Sequence, residues 1–281
     1  ANPTPPSQHP QRHKSINRKQ PRPLNGAGRF SFEEPLGFLA YVPNYTGFFL
    51  ILVLGLLGCD GVNNLRDIKG GESRCSRDSG GAVVVVVERR KRKGPILTPS
   101  SLPCLGKMPT INITEGCVHN CVYCYTQGYR SYPGPGRVVL FDNIPELLRA
   151  ELPRKRKKPH RVYFSPSSDA FQPLDEVQDV TFETMSILLA RGVEIAFLTK
   201  GVVDERFAAL FAKSSTSVHA QIGVTTTNPR LWELLETGAA CPAERLETIE
   251  RLTRIGVSVR VRLDPLIPGL TDRADNLRPL L

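Results

Sequence analysis

The chain has 281 residues, an apolar share of 40%, and a formal net charge of +10. That length admits one large α/β domain or two smaller ones, with enough apolar residues for a core. The charge is uneven. Residues 1–93 carry 15 Lys and Arg against 7 Asp and Glu, while the remaining 188 carry 22 against 20. The later region therefore lacks the basic footprint of a nucleic-acid-binding domain. Three of the seven cysteines crowd between positions 117 and 124. This excludes the evenly spread disulfide framework of a small secreted chain and points to a metal in a reduced compartment, the cytoplasm.

Residues 1–30 are rich in Pro, Gln, Asn and Arg and read as disordered. The apolar run over 47–58 is shorter than the ~20 residues a membrane helix needs. Leu56-Leu57-Gly58-Cys59 looks like a lipoprotein cleavage box but stands too deep in the chain for one. No membrane attachment is expected. The chain opens on Ala rather than Met, and residues 1–93 read as a low-complexity, basic, largely disordered region whose native status is open.

From Gly94 the pattern becomes regular. β-type runs are expected at Thr110–Ile113, Arg161–Phe164, Ile195–Leu198, Val218–Val224 and Val257–Leu263. Asn143 and Pro145 open a helix through Leu152. Val203, Phe207, Leu210 and Phe211 mark the face of a second helix. Leu246, Ile249 and Leu252 mark a third, after a Pro at 242 that suits a first turn. Strands alternating with helices predict βαβ units and a parallel sheet, as a partial (β/α) barrel or, alternatively, an open doubly wound sheet. Residues 94–281 form this core domain. It ends within the helix expected after the fifth strand, so the barrel is expected to be truncated there. In a barrel, chemistry gathers at the C-terminal ends of the strands.

The cysteine segment is Gly116-Cys117-Val-His-Asn-Cys121-Val-Tyr-Cys124-Tyr125. Three thiolates on one short loop can hold three irons of a cubane and leave the fourth without a protein ligand, whereas an electron-transfer cluster has four cysteines. A structural zinc site needs a fourth ligand at matched spacing. His119 lies too close to its cysteine neighbours to supply it without strain.

Cys117, Cys121 and Cys124, with an aromatic before the third, resemble the radical S-adenosylmethionine (SAM) superfamily. Further stretches narrow the likeness: Pro95-Ile-Leu-Thr-Pro-Ser-Ser-Leu-Pro103, Asp169-Ala-Phe-Gln-Pro173, Phe197-Leu-Thr-Lys200, Val224-Thr-Thr-Thr227, Ala243-Glu-Arg-Leu-Glu-Thr-Ile249 and Pro265-Leu-Ile-Pro-Gly-Leu-Thr-Asp272. Together they resemble the spore photoproduct lyase-like family, also labelled DNA repair photolyase-like, over about residues 94–281.

The resemblance implies a four-iron–four-sulfur cluster on Cys117, Cys121 and Cys124, with SAM chelating the open iron. Reduction by an external flavodoxin- or ferredoxin-like donor then yields a 5′-deoxyadenosyl radical that abstracts a substrate hydrogen. It implies that Ser168, Asp169, Lys200 and Thr225 lie around SAM, a cation and a hydroxyl holding its carboxylate. Asp169 as a turn cap, Thr225 as packing and Lys200 as a solvated strand end are the plainer readings. Tyr123 and Tyr125 match tyrosines of a hydrogen relay, or else shield the cluster.

The chain departs from the lyases at Pro166, which stands where they carry a cysteine hydrogen donor. The substrate is therefore unidentified, with nucleic acid among the classes implied. Arg262 and Asp264 read as barrel-lining residues or as a mutual ion pair. The basic run Arg154–Lys158 reads as solvated loop charge on the side away from the active face, with phosphate-backbone contact as the alternative. A non-catalytic iron–sulfur or zinc-stabilised nucleic-acid-binding protein, or an inactive fragment, are the alternatives.

Overall fold

The computed structural model describes residues 50–55 (backbone only), 85–100 and 102–281. The disorder expected for residues 1–30, and half of the apolar run 47–58, lie outside the described residues. In chain order the strands are β1 (Leu50–Gly55), β2 (Val86–Arg90), β3 (Thr98–Pro99), β4 (Pro109–Ile111), β5 (Thr114–Glu115), β6 (Arg137–Phe141), β7 (Arg161–Phe164), β8 (Glu194–Thr199), β9 (Val218–Gly223) and β10 (Ser258–Leu266). The main helices are α1 (Ile144–Glu151), α2 (Asp175–Ala190), α3 (Glu205–Ala212), α4 (Pro229–Leu235) and α5 (Pro242–Arg254). None of the described helices is long and apolar enough to cross a membrane.

Strands β4, β7, β8, β9 and β10 are successive parallel neighbours in one seven-stranded sheet, edged by β3 and β1. Each crossover adds its strand on the same side, so right-handed connections put the crossover helices on one face. This is the winding of a (β/α) barrel, left open at its edges. A doubly wound sheet reverses direction at a switch point, and this one does not.

Strand alternation divides the sheet chemically. Val162, Phe164, Ile195, Phe197, Val218, Ala220 and Ile222 are buried in the main hydrophobic core. Among the alternate residues on the other face, Arg161, Glu194 and His219 form a charged cluster. Arg161 Nη2 and His219 Nε2 lie 2.5 and 2.9 Å from Glu194 Oε2.

Three local expectations change. The single strand at Thr110–Ile113 is broken: β4 stays in the large sheet, and β5 crosses into a three-stranded sheet of order β2-β6-β5. That second sheet and helix α2 are additions to the expected set, and β2 lies within the 1–93 stretch. The fifth barrel strand runs on to Leu266 rather than stopping at Leu263.

Candidate active site

The cysteine loop follows β5 and lies against the C-terminal ends of the barrel strands. Gly116 opens it with φ +80°, and a Cβ there would sit 2.5 Å from the Arg137 carbonyl oxygen. Only glycine fits such a turn. The buried Gln172 side chain accepts from the Val118 N–H at 2.8 Å and donates to Thr114 Oγ1 and the Asp169 carbonyl, each at 2.9 Å. Val122 N–H donates to the Leu235 carbonyl, and Gly238 N–H to that of His119. A Cβ on Gly238 would stand 2.1 Å from the Val118 oxygen, so the two backbones touch.

These contacts give the Asp169–Pro173 stretch a physical meaning. Asp169 Oδ1 accepts from the Phe171 N–H and Thr199 Oγ1, and Oδ2 from the Lys200 N–H, all at 2.8 Å. His119 Nδ1 lies 3.3 Å from Oδ2. One buried carboxylate thus ties the loop after β7 to the end of β8 and to the cysteine loop. Burial raises its pKa, but His119 and the backbone donors outweigh that and hold it below the usual range. Phe171 anchors the stretch in the core, 4.7 Å from the Phe197 ring. Among the described residues, the non-glycines in the left-handed region are Asn120 and Ser165, one in each of these facing loops.

Lys200, Thr225 and Tyr123 converge on Glu236, just past α4. Lys200 Nζ donates to Thr225 Oγ1 at 3.1 Å and to the Asp264 carbonyl at 2.9 Å, and lies 3.2 Å from Glu236 Oε1. The Tyr123 ring centroid is 5.7 Å from the ammonium, and its hydroxyl donates to Glu236. Thr225 Oγ1 donates to the same carboxylate at 2.6 Å. Behind it Arg245 Nη1 sits 2.6 Å from Glu236 Oε2, with both side chains at most 1% exposed. Arg245 also donates to the Ala240 and Gly223 carbonyls. Burial pushes the Glu236 carboxyl up, but Lys200 and Arg245 more than offset this and bring its pKa to about 2.

The remaining predicted residues lie on the rim or beside the loops. Tyr125 is half exposed, and its hydroxyl donates to the Pro166 carbonyl at 2.6 Å. Ser168 has a buried hydroxyl without a partner among the described residues, as does Ser165. Arg262 Nη2 pairs with Asp264 Oδ2 at 3.0 Å. Cys241 is buried at the start of α5, where its N–H donates to Glu244. Glu236, Arg245 and Gln172 were not anticipated. The signal for Arg245 was present: with Ile249 and Leu252 it lies on an apolar helical face, where a charge implies a buried partner.

The donor set suits a multi-iron cluster. Cys117, Cys121 and Cys124 are free thiols, the first and third half-buried and the second buried. Burial raises the Cys117 thiol, with Asp169 adding to it, and pushes Cys121 up to about 12. No group of three or more His, Cys, Asp or Glu among the described residues converges as a single metal ion requires.

A model of the radical SAM superfamily matches residues 111–278, more than half of the chain, and the chain belongs to that superfamily. Its curated relatives include the uncharacterized protein Rv2578c of Mycobacterium tuberculosis, 29% identical over 181 residues, 61% of this chain and 53% of that protein. A Pseudomonas phage M6 protein named radical SAM Nalpha-GlyT isomerase is 28% identical over 160 residues, 57% of this chain and 33% of its own length. The chain thus spans about half or less of these relatives. A cysteine-to-serine mutant of spore photoproduct lyase superimposes with a TM-score of 0.49 at 14% identity, covering 62% of this chain and 49% of that one.

Proposed function

We propose that residues 94–281 are the catalytic domain of a radical SAM enzyme. In it Cys117, Cys121 and Cys124 hold a four-iron–four-sulfur cluster whose fourth iron is left to SAM. The observation that carries the reading is one loop with three free thiols, fixed by Gln172 and Gly238 beside the Lys200 ammonium at the strand ends. When bound, the reduced cluster and SAM supply a 5′-deoxyadenosyl radical that takes a hydrogen atom from the substrate.

The chain's own residues bind, orient and shield. Lys200 offers its ammonium, and Ser168 its unpartnered hydroxyl, to the SAM carboxylate. Thr225 fixes the Lys200 side chain, and Asp169 fixes the backbone on which it stands. Tyr123 walls the site beneath its hydroxyl contact to Glu236. Tyr125, on the rim, is the residue placed to meet a substrate. Electrons come from an external flavodoxin- or ferredoxin-like donor, and the cytoplasm provides the reducing compartment. The substrate is unidentified, and nucleic acid is the one class that the motif likeness to spore photoproduct lyase-like proteins supports. Pro166, in place of their cysteine donor, makes the spore photoproduct itself an unsuitable substrate.

The test is anaerobic reconstitution of the full chain. About four irons and four sulfides per chain are expected, with a paramagnetic resonance signal that changes on adding SAM and release of 5′-deoxyadenosine. Changing any of the three cysteines to Ala should abolish all three. Uptake of zinc in preference to iron, or a signal indifferent to SAM, overturns the reading.

A further inference from the structure

Lys200 donates to Thr225 Oγ1 and the Asp264 carbonyl at 3.1 and 2.9 Å, and its charge is paired with Glu236 Oε1, 3.2 Å away. A carboxylate from outside therefore meets an ammonium whose charge an internal carboxylate already offsets. Thr225 and Asp264 stand on or beside the ends of β9 and β10 and move with the sheet. Glu236 makes the longest of the three contacts, and its Oε1 already receives the Tyr123 and Thr225 hydroxyls. It also has a second cation in place, Arg245 Nη1 at 2.6 Å from Oε2. Gly223 leaves the ammonium room, since a Cβ there would sit 2.7 Å from Lys200 Nζ.

We propose that Glu236 is an internal stand-in for the SAM carboxylate: Lys200 exchanges one for the other when SAM binds, and Arg245 keeps Glu236 paired during the exchange. The inference rests on the reading of Lys200 as a SAM contact. It makes Glu236 a competitor and Arg245 a positioning residue that lowers the penalty of the exchange. Without Arg245, releasing Lys200 would strand a buried carboxylate with no cation, a heavily penalised state.

Opposite signs distinguish this from a merely structural ion pair. The SAM-induced change in the reduced cluster's paramagnetic resonance spectrum is titrated on reconstituted full chain, at matched iron content and with thermal melts as a fold control. Glu236→Gln keeps an acceptor for Tyr123 and Thr225 but removes the competing charge. It should bind SAM at least about fivefold more tightly, the lower end of ordinary coupling between sites. Arg245→Met should weaken binding by at least about as much, and the R245M/E236Q double variant should bind as E236Q does.

Weaker binding by E236Q overturns the exchange even if R245M does not fold. Weakening by both single variants with no recovery in the double variant overturns it too. A wild-type spectrum unchanged by SAM overturns the reading of the site, and the exchange falls with it.

Discussion

Asp169 accepts from two backbone N–H groups and the Thr199 hydroxyl, with His119 beside it. Asp169→Asn would turn an NH2 group toward donors that need an acceptor. Leaving a buried donor without its acceptor costs about 1–3 kcal/mol, and a urea titration should show a loss of at least that order. Lower iron uptake should accompany it, because His119 sits within the cysteine loop.

Glu236 provides the acid-sensitive element of the site. Its pKa falls from an ordinary carboxyl value to about 2 on folding. A depressed carboxyl adds stability above its unfolded pKa of about 4.3 and loses it as pH drops toward 2. Urea midpoints should therefore fall between pH 5 and 2 more steeply in the wild type than in E236Q, and an equal slope in both would count against the network. Lys200, Thr225 and Asp169 could be named beforehand because the family resemblance marks their motifs, and the apolar runs place those motifs at strand ends. Glu236 could not, since it follows a short helix without periodic signal, and its partner Arg245 arrives through tertiary packing alone.

Between elements, the close approach of loops decides the geometry. Gly238 lets its backbone meet Val118, and Gly238→Ala would push a methyl group to 2.1 Å from the Val118 oxygen. The cysteine loop has to move, so iron uptake should drop sharply. By contrast, Asp204 caps α3 through the Phe207 N–H, and Asp204→Ala should cost about 1 kcal/mol while leaving iron content unchanged. Comparing the two by melting and iron assay separates loop placement from general stability.

The same elements explain what the pattern of residues concealed. Helix α2 buries Thr181 and Thr184 on its inward face along with Val177, Met185 and Leu188, so its apolar stripe is diluted. Both threonines are satisfied by backbone carbonyls, of Ala170 and Val180. The run Thr110–Ile113 reads as continuous β, yet Asn112 turns its side chain to accept from the Ser167 N–H at the point where the chain leaves one sheet for the other. Hydropathy carries no trace of such a switch, because both sheets want the same residues.

Across the whole fold, the candidate site lies at one end of the strands. Lys200, Thr225, Ser168 and the cysteine loop gather at the C-terminal strand ends. The run Arg154–Lys158 joins α1 to the start of β7, at the opposite end. Two of its charges are already committed: Lys155 pairs with Glu151 and donates to the Leu97 carbonyl, and Lys158 donates to the Arg191 carbonyl. Arg154, Arg156 and Lys157 face solvent. If the proposed site takes a nucleic acid at the cysteine end, that strand has no reason to meet them. Replacing all three by Ser should therefore leave both the affinity for a short single-stranded oligonucleotide and its salt dependence unchanged. Each phosphate left without its cation would lower the slope of log K against log salt by about 0.7 for a single strand. A slope reduced by about two after the triple substitution would place the substrate on the other end of the sheet and contradict the polarity of the site.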